Sequence, residues 1–193
     1  MAGGIPPGAR LSTRSIASAL GVSAMPVREA MKRLDADGVV HSSAKSGFIV
    51  HELSAAEYRE ILEIRLRMET MLIRKAAVQM TPTEVQQAEW LLSRLLASTE
   101  WKQILNYNYK MHFLAYRAAR MPYSLSIVEN IWLHVGPALH LVQQKARLQP
   151  SLDFLSGIVA ALRAGDADAA EAALRADIQY NAAALLVVLD EKA

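Results

Sequence analysis

Cysteine is absent from all 193 residues of the chain. Its absence removes disulfides, thiolate metal ligands and thiol nucleophiles from consideration, and fits a reducing compartment such as the cytoplasm. Long apolar runs are missing too. The longest, AAALLVVL from Ala182 to Leu189, falls far short of the roughly 20 residues a membrane-spanning helix needs. The opening MAGGIPPGAR lacks the apolar stretch of a secretory signal, so neither secretion nor membrane insertion is expected. Aromatic residues make up only 6% and charged residues 21%, against 52% apolar. That balance supplies a buried core and argues against disorder of the whole chain. No strong charge of one sign is present overall, the formal net charge being +2, yet the charge is unevenly placed. Residues 1 to 50 hold six Lys and Arg against three Asp and Glu, whereas residues 51 to 193 hold fifteen against sixteen. The basic excess therefore sits in the smaller part, as it would if that part met a polyanion.

The stretch GVSAMPVREAMKRL, Gly21 to Leu34, combines a stop and a start. Ser12 to Leu20 places Ile16, Ala17 and Leu20 on one face of a short helix, and Gly21 ends it in a left-handed conformation. Ser23 is a good N-cap, so Pro26 falls in the first turn of a second helix, where the missing N–H costs no hydrogen bond. Val27, Ala30, Met31 and Leu34 then form an apolar stripe that leaves Arg28, Glu29, Lys32 and Arg33 outside. Beyond Gly38, VVHSSAKSGFIV reads as a two-stranded hairpin with Lys45 and Gly47 at its tip. Helix, turn, helix and hairpin in this order suggest a winged helix-turn-helix, whose second helix enters the DNA major groove. From Ser54 the pattern changes to long helices. SAAE (Ser54 to Glu57) and TPTE (Thr81 to Glu84) are capping boxes. Further helices are expected near 101–119, 124–147 with a kink at Gly136-Pro137, 151–163 and 167–190. The expected fold is mainly α: a winged helix-turn-helix at residues 1–53, then an antiparallel helical bundle at 54–193.

The run GGIPPGARLSTRSIASALGVSAMPVREAMKRLDADGVV resembles the DNA-binding motif of GntR-type transcriptional regulators. EIRLRMET and, near the C-terminus, AALRAGDADAAEAALRADI resemble the FadR-like branch. The resemblance implies a cytoplasmic, homodimeric regulator that binds a palindromic double-stranded DNA operator. Its helical domain would sense a small metabolite, in that family often a carboxylate held near a divalent metal. It further implies DNA contact by Arg14, Ser23, Arg28, Lys32, Lys45 and Gly47. For Ser23, capping alone is an equal explanation.

The chain departs from the family pattern in three places. The family has another helix ahead of the first motif, so a DNA-binding domain beginning here is expected to be less stable. Ala24 stands where an arginine is usual, deleting one expected contact. The family's metal ligands, an Asp and a His four apart and then two further His, fall on Asn108, His112, Leu155 and Asp177. Replacing imidazole by alkyl and carboxylate by amide removes both donors and charge. The expectation is no cofactor, with His112, Asn108 and Asp177 the ligands of a metal if any binds.

Effector contacts are assigned to Arg65, Asn108, His112, His134 and Asp177. Arg65 lies four residues before Glu69, so it is either a surface ion pair or, as the resemblance implies, a bidentate carboxylate clamp. His112 is an effector contact, a metal ligand or a satisfied core histidine. His134 and His140 are six apart and cannot both face inward with His112; His134 is the choice. Tyr107, Tyr109, Met68, Met71 and Met111 are read as core, interface or pocket lining. Two other functions are weighed: a metabolite-binding relative with impaired DNA binding, and a small metal-dependent hydrolase using His112 and Asp177. The latter lacks a nucleophile-base-orienter set, so no enzymatic activity is expected.

Overall fold

The computed structural model describes residues 4–43, 47–142 and 149–191. The chain opens with a short strand, β1 (Arg10–Leu11), followed by α1 (Thr13–Leu20) and α2 (Ala24–Ala36). Ser12 caps α1 by accepting from the Ser15 N–H, and Gly21 closes it at φ 65°. The Val22 N–H then returns to the Ala17 carbonyl at 3.0 Å, the left-handed closure that glycine permits without steric cost. The second helix starts at Ser23 as expected, but the serine side chain makes no capping hydrogen bond.

Strands β2 (Val40–Ser43) and β3 (Gly47–Val50) form the expected hairpin. A third strand was not expected: β1 pairs antiparallel with β3, matching Arg10 to Ile49 and Leu11 to Phe48, and gives the order β1-β3-β2. Two residues are too few to carry a period-two signal, so only the tertiary pairing reveals it. Ala17, Val27, Met31, Val39, Val40, Phe48 and Val50 make the small core beneath the sheet.

Two apolar positions depart from the expected stripes. Leu20 is 67% exposed, because Ala17 and the partly covered Ile16 fill the space beneath α1. Ala30 is also exposed. It lies at the margin of the Val27–Met31–Leu34 stripe and its methyl group is too short to reach the core.

Six helices follow: α3 (Ala55–Gln79), α4 (Pro82–Leu96), α5 (Trp101–Ala118), α6 (Pro122–Val142), α7 (Gln149–Ala164) and α8 (Ala167–Asp190). Both predicted capping boxes form, Ser54 with Glu57 and Thr81 with Glu84. Ser54 holds the Glu57 carboxyl below its ordinary range by side-chain and then backbone hydrogen bonds. α6 stays helical through Gly136 and Pro137 to Val142; proline there withholds one backbone donor. α3 lies against α5, α6, α7 and α8, and α7 packs on α4 and α8. The main core gathers Leu72, Ile73, Phe113, Tyr116, Leu174 and Ile178 among others, and a second cluster joins Leu53 and Tyr58 to Val135, Ala182 and Leu185. α8 is long and apolar enough to cross a membrane by length and composition alone. Its Ala170, Leu174, Ile178, Ala182 and Leu185 are buried, as in the core helix of a helical bundle.

Candidate functional site

The helix-turn-helix has one face buried and one open. Val27 and Met31 anchor α2 to the core, leaving Arg14, Ser23, Arg28 and Lys32 exposed. Lys32 Nζ lies 3.0 Å from Glu29 Oε1, with both side chains more than half exposed, a pairing of little energy that yields readily to a phosphate. Beside the cations, Met25 is 70% and Val22 49% exposed. The sequence reading passed over this apolar tip because helical periodicity marks what is buried and is silent about what protrudes. Gly47 has a conformational reason for its identity. Its φ is 85°, and a Cβ there would sit 2.5 Å from the Leu11 carbonyl oxygen. Lys45 lies outside the described residues.

The second site is a cavity of about 60 Å³ inside the bundle. Arg65 from α3, Asn108 and His112 from α5, Leu155 from α7 and Asp177 from α8 all line it, so residues scattered over more than 100 positions converge. Trp101, Ile104, Leu105, Trp132, Val135 and Asn181 complete much of the wall. Arg65 is neither a surface ion pair nor an open clamp. Its Nε donates to Glu69 Oε1 at 2.6 Å and Nη2 to Oε2 at 3.4 Å, and its charge acts on the buried Tyr58 phenol nearby. Its guanidinium lies 5.3 Å from the Trp132 ring centroid. Burial opposes the Arg65 charge, but Glu69, Tyr58 and Tyr116 together more than offset this, so its pKa stands above the ordinary value.

Glu69 is fully buried and accepts a further bond from the Tyr116 hydroxyl at 2.6 Å. Burial, then Glu69, pushes the Tyr116 phenol well above its ordinary pKa. His112 Nδ1 is 3.3 Å from the Tyr116 oxygen and Nε2 is 3.6 Å from Asp177 Oδ2. Burial lowers the His112 pKa, with Asp177 and Glu69 opposing the shift, so the imidazole is neutral near pH 7. Asn181 donates to Asp177 Oδ1 at 2.9 Å. The indole nitrogens of Trp101 and Trp132 are buried without a hydrogen-bond partner among the described residues. Glu69 was visible in the sequence only as a partner for Arg65. Tyr116 sits one helical turn after His112 and Trp132 lies on another helix, so neither carried a separate signal.

The residues at the family's metal-ligand positions do not fit a divalent ion. Leu155 has no donor atom and Asn108 is a neutral amide, leaving one imidazole and one carboxylate. Among the described residues no group of three His, Asp or Glu is placed to share a metal.

His134 does not face the cavity. It packs near Gly38, 3.7 Å from where a Cβ there would sit, with Asp37 close enough to act on its charge. A position two residues after Trp132 points to another side of α6, toward the winged helix. Leu133 packs on the winged-helix core beside it. His140 is not in the cavity wall either, and its buried Nε2 has no partner among the described residues. Met68, Met71, Met111, Tyr107 and Tyr109 are likewise absent from the wall; Met111 is core.

Comparison with known proteins matches both parts of the chain. Residues 1–50 match the family of bacterial regulatory proteins, gntR family, and residues 60–180 match the FCD domain. The HTH-type transcriptional regulator McbR of Escherichia coli K12 is 31% identical over 189 residues, 95% of this chain and 86% of that protein. The E. coli HTH-type transcriptional repressor RspR is 28% identical over 183 residues, 91% and 78% respectively. The solved structure of E. coli McbR/YncC superposes with a TM-score of 0.89 at 29% identity, covering all of this chain and 92% of that one. These relatives are transcriptional regulators, not enzymes. With an N-terminal winged helix-turn-helix and a C-terminal FCD bundle around a buried cavity, this chain belongs to the GntR family of transcriptional regulators.

Proposed function

We propose that this regulator acts in the cytoplasm as a homodimer whose two winged helices, residues 1–53, read the half-sites of a palindromic operator. The bundle, residues 54–193, pairs the copies and binds a small-molecule effector in the Arg65–His112–Asp177 cavity. The observation that carries the reading is the split of α2, which buries Val27 and Met31 but leaves Ser23, Arg28 and Lys32 in solvent. Arg28 reads a base edge, Arg14 and Lys32 meet phosphates, and the exposed Met25 offers an apolar contact for a thymine methyl group. Gly47 belongs to the flanking wing.

α6 supplies the physical link between the two sites. Trp132 is in the cavity wall, while Leu133 and His134 lie against the winged helix. A ligand that displaces Trp132 therefore acts on the domain contact through a single helix. For this to regulate operator affinity, the ligand must bind the DNA-competent and incompetent arrangements unequally. The test is duplex selection from a random pool, followed by titration of the selected site. Arg28→Ala is expected to lose about 1–3 kcal/mol and relax specificity at one position, and Arg14→Ala to reduce the log–log salt slope by about one. Full operator affinity in Arg28→Ala, or no duplex binding at low ionic strength, refutes the assignment.

A further inference from the structure

The joint between the two parts of the chain gathers three of the five histidines. His51 follows β3, donates its backbone N–H to the Val39 carbonyl at 3.0 Å, and precedes Leu53, which is buried in the bundle. Its ring bridges the two parts. Nδ1 lies 2.8 Å from His41 Nε2 on β2, with the rings edge-on at 88°, and Nε2 lies 3.1 Å from Glu57 Oε1 in the first turn of α3. The other Glu57 oxygen accepts from the Ser54 N–H at 2.8 Å, so one carboxylate both closes the α3 capping box and holds His51. Those serine bonds keep Glu57 ionised at neutral pH, and an ionised carboxylate only accepts. His51 Nε2 therefore carries a proton. In a neutral His51, Nδ1 is then an acceptor that takes the His41 Nε2–H. The result is a directed relay, His41 to His51 to Glu57, running from the wing sheet into the bundle.

The relay limits how many protons the joint can hold. One added proton fits: it sits on His51 Nδ1 and points at His41, which takes its other neutral tautomer and accepts through Nε2. A second does not fit, because both facing nitrogens would carry hydrogen at 2.8 Å and two donors cannot share a bond. One ring must then leave, which cuts the tie between β2 and α3. His134 acts in the same direction from α6. It packs near Gly38 of the winged helix, beside Leu133. Burial, then the charge of His51, lowers its pKa, with Asp37 and Glu57 opposing the shift. Its contribution to the closed joint is therefore present above the ordinary histidine value near 6.5 and is lost as pH falls below it. Of the other acids nearby, Asp35 on α2 is bonded to the Ser42 N–H at 3.1 Å and Glu52 reaches toward Gly8.

We propose that this joint is an acid-operated latch: it is closed while His41, His51 and His134 hold at most one added proton between them, and it opens when they take more. Opening frees the winged helix from the first turn of α3 and from α6. The consequence for operator binding rests on the reading of residues 1–53 as the DNA-binding part of a homodimer, because a freed domain is no longer held at a fixed spacing from its partner copy. Histidine is the side chain whose ordinary titration lies nearest neutrality. Each proton that the open form binds in excess changes the closed-to-open ratio by up to about tenfold per pH unit.

The test uses the full chain. It has no cysteine, so Ser18→Cys and Lys102→Cys, both at exposed positions, place one dye on α1 and one on α5. Labelled chains are diluted into unlabelled ones, so that energy transfer is read within one copy. From pH 7.5 to pH 5 the transfer is expected to change in a step that reports a fall of about tenfold or more in the closed-to-open ratio, with helicity by circular dichroism unchanged. His41→Gln keeps a donor for His51 Nδ1 without a titrating ring. With His134→Gln added, the step is expected to vanish and the joint to stay closed at pH 5. Constant transfer in the parent, a step of the same size and midpoint in the double variant, or a step that comes only with loss of helicity overturns the proposal. Duplex binding is measured on the same preparations. A step in a protein that binds no duplex would leave the latch standing and sink the regulator reading; constant transfer with duplex binding intact would sink the latch alone.

Discussion

Glu69→Leu is the substitution that most directly probes how the bundle is held together. Glu69 is fully buried, ion-paired with the buried Arg65 at 2.6 Å and bonded to the Tyr116 hydroxyl. Removing the carboxylate strands a guanidinium inside the protein, and breaking one partner of a buried pair costs about 3–5 kcal/mol. For a chain of this length, each kcal/mol lowers Tm by about 2–4 °C, so the expected fall is roughly 6–20 °C. The double variant Arg65→Met/Glu69→Leu removes both charges while keeping apolar volume. It is expected to recover most of that loss, because replacing a whole buried pair is often neutral or stabilising. The remainder, about 1–3 kcal/mol, belongs to the Tyr116 hydroxyl left without its acceptor, and adding Tyr116→Phe should recover much of it. Thermal unfolding followed by circular dichroism measures all three proteins. A Glu69→Leu protein within about 1 kcal/mol of the parent, or a double variant less stable than the single, would refute the reasoning.

Two further outcomes follow from the same structure. Gly47→Ala is expected to destabilise the winged helix by about 1–3 kcal/mol, since φ is 85° and the new methyl would meet the Leu11 carbonyl; faster amide exchange at Phe48 and Val50, with the α3–α8 core unchanged, would report it. Acidification should weaken the bundle through His112. Its pKa is lowered by burial, against the opposing charges of Asp177 and Glu69 and with that of Arg65. Its contribution is therefore present above the ordinary histidine value near 6.5 and is lost as pH falls below it. That window lies above the one for Glu57, Glu84 and Glu171, whose pKa values are held below their ordinary 4.5. Unfolding measured from pH 7.5 to 5 should therefore be flatter for His112→Asn than for the parent, and parallel curves would contradict the assignment.

The local elements were legible because their signals are local. Gly21, Ser23 and Pro26 mark a stop and a restart, and Ser54-Glu57 and Thr81-Glu84 mark helix starts through bonds spanning three residues. The spacing of Arg65 and Glu69 revealed a pair one helical turn apart, and the family motif indicated that Asn108, His112 and Asp177 belong to one region. Burial of that pair, the Tyr116–Glu69 bond, the unpartnered indoles and the turning of His134 toward Asp37 depend on how α3, α5, α6 and α8 rotate against one another. Rotation about a helix axis is set by long-range packing, to which no short window of sequence is sensitive. The sequence by itself thus determined where helices begin and end and which part carries the cations. Only the tertiary structure decided that Arg65 answers an internal carboxylate, and that His112, Trp132 and Asp177 share one cavity wall, because desolvation and pairing arise only once distant segments meet.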